Sequence, residues 1–114
     1  MRKYDKSGYI YLICDPVKDF FKIGITTGTI ENRIKELQTG NAGELFIRDY
    51  FHSDTIFKLE ELLHTKFRSK HVHGEWFKLD VQDVVHFKET CEQLQETAHM
   101  LYESTLYDEP LFSV

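Results

Sequence analysis

Residues 8–25 constrain the fold more than any other stretch of the chain. Gly8-Tyr-Ile-Tyr-Leu-Ile-Cys14 and Phe20-Phe-Lys-Ile-Gly-Ile25 are short runs rich in β-branched and aromatic residues, separated by the polar Asp15-Pro-Val-Lys18. Two such runs across a short turn specify an antiparallel hairpin. With residues 15–18 as the loop, Tyr11 stands opposite Lys22 and Tyr9 opposite Gly24, and opposed residues share a face. One face then holds Tyr9, Tyr11, Lys22 and Gly24, with Ile13 and Phe20 nearer the turn. The other holds Ile10, Leu12, Phe21, Ile23 and Ile25 and is core. Taken singly, the tyrosines are ordinary strand aromatics and the lysine an edge residue with its head in water. Together, two phenols, an ammonium and a glycine that gives a ligand room beside the backbone make a chemical surface.

The chain has 114 residues, 41% hydrophobic and 29% charged, which fits one globular domain and excludes a disordered chain. Its longest uninterrupted apolar run, Tyr9–Cys14, is far too short to cross a membrane. Met1-Arg-Lys-Tyr-Asp-Lys6 has no apolar stretch resembling a signal peptide. Cys14 and Cys91 stand alone in their segments, so neither a disulfide framework nor a zinc knuckle is indicated, and a reducing cytoplasm is expected. The net charge of −5 is unevenly spread: residues 1–80 hold 13 Lys/Arg against 12 Asp/Glu, and residues 81–114 hold one against seven. The first eighty residues are therefore near neutral, which leaves nucleic acid open as a partner but argues against tight non-specific DNA binding.

Downstream, the pattern predicts a helix over residues 29–39 stopped by Gly40, a strand over Leu45–Phe51, and a second helix capped by Ser53 or Asp54 and reaching Arg68. A His-rich turn leads to a short strand at Gly74-Glu75-Trp76-Phe77, then a long helix from Asp80 to Ser104 and an irregular tail. On the first helix Ile30, Ile34 and Leu37 mark the buried arc, Arg33 falls at its border and Lys35 points away. A border arginine reaches over a sheet to clamp a phosphate oxygen, or else packs its stem and leaves its head in water. On the second helix Ile56, Leu59, Leu63 and Phe67 are the buried arc, Glu60 lies at its inner rim, and His64 is one turn on. A carboxylate on an apolar face demands a partner, either a salt bridge to Lys22 or Arg33 or a hard divalent cation. The cation, Mg²⁺ or Mn²⁺ held by Glu60, is the reading favoured by its neighbours.

Tyr9-Ile10-Tyr11, Lys22-Ile23-Gly24, Arg33 and Glu60, in this order, resemble the GIY-YIG endonuclease superfamily. Arg33-Ile-Lys-Glu-Leu-Gln-Thr-Gly-Asn41, Leu59-Glu60…His64 and Gly74-Glu-Trp-Phe77 resemble its small phage and meiosis-upregulated branch. The resemblance covers residues 8 to 80. It implies an α+β fold, a small three-stranded antiparallel sheet flanked by helices, with a long C-terminal helix. It also implies metal-dependent hydrolysis of DNA phosphodiester bonds. On that resemblance Tyr11 orients the nucleophile or acts with water as general base, Arg33 stabilises charge on the phosphate, and Glu60 holds the metal. Tyr9, Gly24, Lys35 and Asn41 are expected to bind substrate. Two positions depart from the family pattern: Lys22 stands where a tyrosine is usual, and Tyr9 where the first glycine would be. A lysine there is read as lowering the pKa of a nearby phenol or water.

His64 is expected to assist proton transfer, being one helical turn from Glu60. His64, His71 and His73 are read as loop or substrate residues rather than as a transition-metal site. In the last helix Val84, Phe87, Cys91, Leu94, Ala98 and Leu101 recur in steps of three and four, a stripe that serves either as a homodimer seam or as packing on its own domain. Asp108-Glu-Pro-Leu-Phe112 bears a weak likeness to peptides that dock on sliding clamps. The chain therefore divides into a nuclease-like domain, 1–80, and a helix and tail, 81–114. The expected function is DNA cleavage. The alternatives are a non-catalytic DNA-binding module of the same fold, and a protein-interaction or inhibitor domain that works through its acidic last helix.

Overall fold

The computed structural model describes residues 4–112, with side chains through Ser104. In chain order it forms β1 (Gly8–Asp15), β2 (Phe20–Thr26), α1 (Ile30–Thr39), β3 (Phe46–Ser53) and α2 (Ile56–Lys66). A 3₁₀ turn (Arg68–Lys70), β4 (His71–His73), β5 (Trp76–Phe77), α3 (Val81–Val85) and α4 (Phe87–Phe112) follow. The fold is α+β. Its sheet is antiparallel throughout, in the order β3-β1-β2-β5-β4. The three strands that the resemblance implies are five among the described residues. The short strand expected at 74–77 is confined to Trp76–Phe77, and β4 arises because Gly74-Glu75 is a two-residue hairpin turn, with Gly74 at φ 53, where an L side chain is strained. That turn folds β4 back on β5, and β5 pairs with β2 at Phe21 and Lys22.

The first hairpin is two residues out of the expected register. Tyr11 pairs with Gly24, Tyr9 with Thr26 and Ile13 with Lys22, so the loop is residues 16–19. The cause lies in Asp15, whose buried carboxylate accepts from the amides of Val17 (3.1 Å) and Lys18 (3.3 Å) and builds the turn ahead of itself. Asp19 closes the turn at φ 59, a conformation Asp tolerates better than most residues. A slip of two preserves the side-chain alternation, so the predicted faces stand.

One sheet face carries Tyr11 and Ile13 beneath Ile30 and Leu45, with Ile34, Leu37, Tyr9 and Trp76 packed around them, so α1 lies on this side. The opposite face carries Ile10, Leu12, Phe21 and Ile23 against Ile56, Leu59 and Leu63 of α2, Val84 of α3, and Phe87 and Cys91 of α4. Thr29, expected as the first residue of the helix, instead caps α1, accepting from Asn32 N at 3.1 Å. The cap of α2 is not Ser53 or Asp54. Thr55 sits at the N-cap without a side-chain capping bond, its Oγ1 lying 3.2 Å from Ser53 Oγ, and the amides of Phe57 and Lys58 donate instead to Asp5, at 3.1 and 3.0 Å. Asp80 and Asp83 form a reciprocal capping box that starts α3.

The last helix is broken at His86 into α3 and α4, and α4 continues through Phe112, where an irregular tail was expected after Ser104. The stripe from Val84 to Ala98 packs inward: Phe87, Cys91 and Ala98 are wholly buried and Leu94 partly so. It serves as core, not as a free seam, although Leu101 is exposed. The side chains of the Leu-Phe peptide at 111–112 lie outside the described residues. No helix among the described residues is long and apolar enough to cross a membrane.

Candidate functional site

The site forms where β5 stops. Beyond Lys22 the β2 edge has no strand beside it, and its backbone is met by other groups. Ile23 N donates to Glu75 O (3.0 Å), and Ile23 O lies 2.9 Å from His64 Nε2. At this notch, residues from β1, β2, α1, α2 and the β4–β5 turn converge.

Tyr11 lies flat against Gly24. A Cβ at position 24 would fall 2.4 Å from the Tyr11 hydroxyl oxygen, so the glycine is needed to seat the phenol rather than to admit a ligand. Arg33 reaches down from α1 and donates from Nε to Tyr11 Oη at 3.3 Å, its Nη1 held 3.1 Å from Glu36 Oε1. That bond leaves the phenolic proton free to donate elsewhere. Tyr11 is 0% exposed beneath these groups, so in this arrangement it touches neither solvent nor ligand. Burial raises its pKa, which the Arg33 hydrogen bond and charge only partly offset. Held by Arg33 and seated on Gly24, the phenol is placed to orient a neighbouring group.

Lys22 is three-quarters enclosed or more, 3.3 Å from Glu75 Oε1 and over the face of Trp76 at 5.4 Å. Glu60 comes from α2 on the other side of the notch. Its Oε2 is buried and makes no hydrogen bond. His64 Nε2 stands 3.9 Å away, too far for one. Burial, with the nearby Glu75 carboxyl repelling its charge and favouring a proton on it, pushes Glu60 up to about 7, against a smaller pull from Lys22. Lys22 therefore salt-bridges to Glu75 and not to Glu60, so the expected ion pair for Glu60 is absent.

His64 is placed by its contacts as a structural residue. Nε2 donates to the Ile23 carbonyl, and the ring packs edge-on against Phe77 at 4.9 Å. A proton-transfer role is left only to Nδ1. His71 bonds Gly74 O at 2.8 Å, and no three His, Cys, Asp or Glu among the described residues are grouped as a metal cage. Lys35 is exposed on α1 and away from the cluster. Asn41 bonds Gly43 O at 2.8 Å and lines a separate cleft of about 100 Å³ with Lys18, His73 and Trp76. Neither joins the cluster. Tyr9 sits beside it, packed edge-on against Tyr50 and His52. A larger cleft, about 490 Å³, lies between β2 and α3 around Phe21, Arg48, Val81 and Val85, and no member of the cluster lines it.

The residue that the sequence reading missed is Glu75. Its signal was the Gly74-Glu75 pair between two strand residues, which marks a hairpin tip. Its effect depends on the fold bringing that tip over Lys22 and Glu60.

No curated protein and no solved structure matches the chain. The sequence model of one family, described as the T5orf172 domain, matches residues 8–92. The match begins at β1, ends within the first turns of α4, and contains every residue of the cluster. Most of the chain being matched, the protein belongs to the T5orf172 domain family.

Proposed function

We propose that the chain is a GIY-YIG-type endonuclease that hydrolyses DNA phosphodiester bonds with a divalent cation, Mg²⁺ or Mn²⁺. The observation that carries this reading is the buried Oε2 of Glu60, which no donor among the described residues satisfies and which has a second carboxyl, Glu75, beside it, near the Tyr11–Arg33 pair at one notch of the sheet. A buried carboxyl oxygen that no donor among the described residues satisfies suits such an ion, and Glu60, with Glu75 beside it, is the residue to hold it. When bound there, the cation supplies the electrophilic charge that phosphodiester hydrolysis needs. The residues of the chain do the rest. Arg33, 35% exposed at its side chain, turns its guanidinium from Glu36 to the phosphate oxygens. Tyr11 is a positioning residue: its oxygen accepts from Arg33 Nε and holds that end of the guanidinium while the Nη end turns. Lys22, held by Glu75 and Trp76, adds fixed positive charge beside the reacting group.

A second reading, a DNA-binding module without catalysis, draws support from the sealed Tyr11 and the Glu36-paired Arg33. Plasmid nicking separates the two. Wild type in Mg²⁺ or Mn²⁺ converts supercoiled to nicked circles, and Glu60→Ala and Arg33→Ala lose at least about a hundredfold in rate, the scale of removing one charge-stabilising group. Retarded plasmid without nicks in either metal favours the second reading.

A further inference from the structure

Across β1 from the notch, the sheet face over β3 is only partly covered. Tyr50 pairs directly with Tyr11 across β1 and β3, and His52 with Tyr9, so the four residues share the face on which α1 sits. Tyr50 is 47% exposed and Ile47 36%. The Tyr9 ring packs edge-on against both neighbours, at 6.0 Å from Tyr50 and 5.2 Å from His52. Between these rings and the first turn of α1 runs a cleft of about 190 Å³, lined by Tyr9, Ile47, Tyr50, Thr29, Ile30 and Glu31.

We propose that this cleft is a stacking site for an unpaired base of the substrate strand, centred on Tyr50, so that the site acts on single-stranded or splayed DNA before continuous duplex. The proposal rests on the reading of the notch as a phosphodiester-cleaving centre and names its substrate class. Three features choose the occupant. The floor is two aromatic rings and an isoleucine, a surface for a flat apolar face. The charged side chain in the lining is the Glu31 carboxylate, which repels a phosphate but accepts from the amino and imino groups on a base edge. A cation stands at the β3 border instead: Lys88 Nζ, reaching from α4, lies 5.1 Å over the Tyr50 ring and 3.6 Å from Asp49. An apolar slot with a cation at its outer edge matches a nucleotide whose base enters while its backbone passes outside. In duplex DNA the base faces are already stacked on one another, so only an unpaired base fits.

The same edge is poorly suited to a second protein strand. Arg48 is the extra residue of a bulge opposite Leu12 and Ile13, and with Asp49 it interrupts the free edge of β3 with charge. Stacking also supplies affinity that the near-neutral first eighty residues do not obtain from phosphate contacts.

The test is fluorescence anisotropy of the full chain in chelator, with a labelled oligodeoxynucleotide offered as a single strand and as its duplex. The single strand is expected to bind at least about tenfold tighter, Tyr50→Ala to lose about tenfold on the single strand with duplex binding unchanged, and Tyr50→Phe to bind like wild type. Tyr50 is exposed, so the fold survives, and circular dichroism checks it. Equal affinity of wild type and Tyr50→Ala, or a duplex preference, overturns the proposal. So does a Tyr50-dependent dimer in gel filtration. The two readings fail separately. Glu60-dependent nicking with no effect of Tyr50→Ala on binding removes the stacking site alone. Tyr50-dependent strand binding without nicking removes the cleavage reading alone.

Discussion

Glu60 shows how a candidate site residue opposes the stability of its own fold. Its carboxyl ordinarily titrates near 4.5 and is pushed up to about 7 by burial and by Glu75. Between those values the folded chain binds more proton than the unfolded one, so stability falls as pH rises from about 4.5 and the deficit is complete above about 7. The full deficit is on the order of 3 kcal/mol for a side chain 20% exposed. Glu60→Gln is therefore expected to stabilise the metal-free chain by about 2–3 kcal/mol above pH 7 and by little near pH 4.5, measured by urea unfolding in chelator. Divalent cation should reverse the order, raising the melting temperature of wild type and leaving Glu60→Gln unmoved. The position of Glu60 was legible from helical spacing, since Leu59 and Leu63 fix the buried arc beside it. Glu75 was not. What makes Glu75 matter is its proximity to Lys22 and Glu60, a contact between distant segments that no local spacing encodes.

At the scale of elements, what could be read locally was read, and the departures trace to long-range substitutes. Thr29, read as the first residue of the helix, stands one position before it and caps α1. For α2 the local candidates Ser53 and Asp54 yield to Asp5, 52 positions before the Phe57 amide it accepts from, because Ser53 Oγ is already occupied by the Thr55 amide at 3.0 Å. Asp54 instead meets His99 of α4 at 2.7 Å. The break at His86 carries no glycine or proline to announce it, and the β-hairpin register depends on the side chain of Asp15 rather than on loop length. Sheet faces were nevertheless correct, since alternation survives a slip of two. The Asp5 cap gives a measurable consequence. Asp5 also accepts from Tyr102 Oη at 2.6 Å, so Asp5→Ala removes two amide partners and strands a phenol. A loss of about 1–2 kcal/mol is expected, seen as a lower urea midpoint with unchanged slope. Faster hydrogen exchange at the Phe57 and Lys58 amides would locate the loss at the start of α2.

Across the whole molecule, the sheet separates two environments. α1, Arg33 and the aromatic face of β3 lie on one side, while α2, α3 and α4 close the core on the other. The acidity of residues 81–114 is carried by the helices of the second side, so an approaching polyanion is steered to the first, where Arg33 lies. α4 is also more than an appendage to a domain ending at residue 80. Ile10 and Leu12 of β1, Leu59 and Leu63 of α2, and Phe87 and Cys91 of α4 belong to one core, and Phe87 and Cys91 are wholly buried within it. Emptying the place of one buried phenylalanine costs about 3–5 kcal/mol. Removing Val84, Cys91, Leu94 and Ala98 with it exceeds the roughly 5–15 kcal/mol by which a domain is stable. A chain ending at Asp80 is expected to show no cooperative thermal transition by circular dichroism. One ending at Ser104 retains the His99–Asp54 and Tyr102–Asp5 bonds and should melt cooperatively. A sharp melt from the shorter chain would mean that the sheet and α2 close a core without α4, contrary to the burial of Phe87.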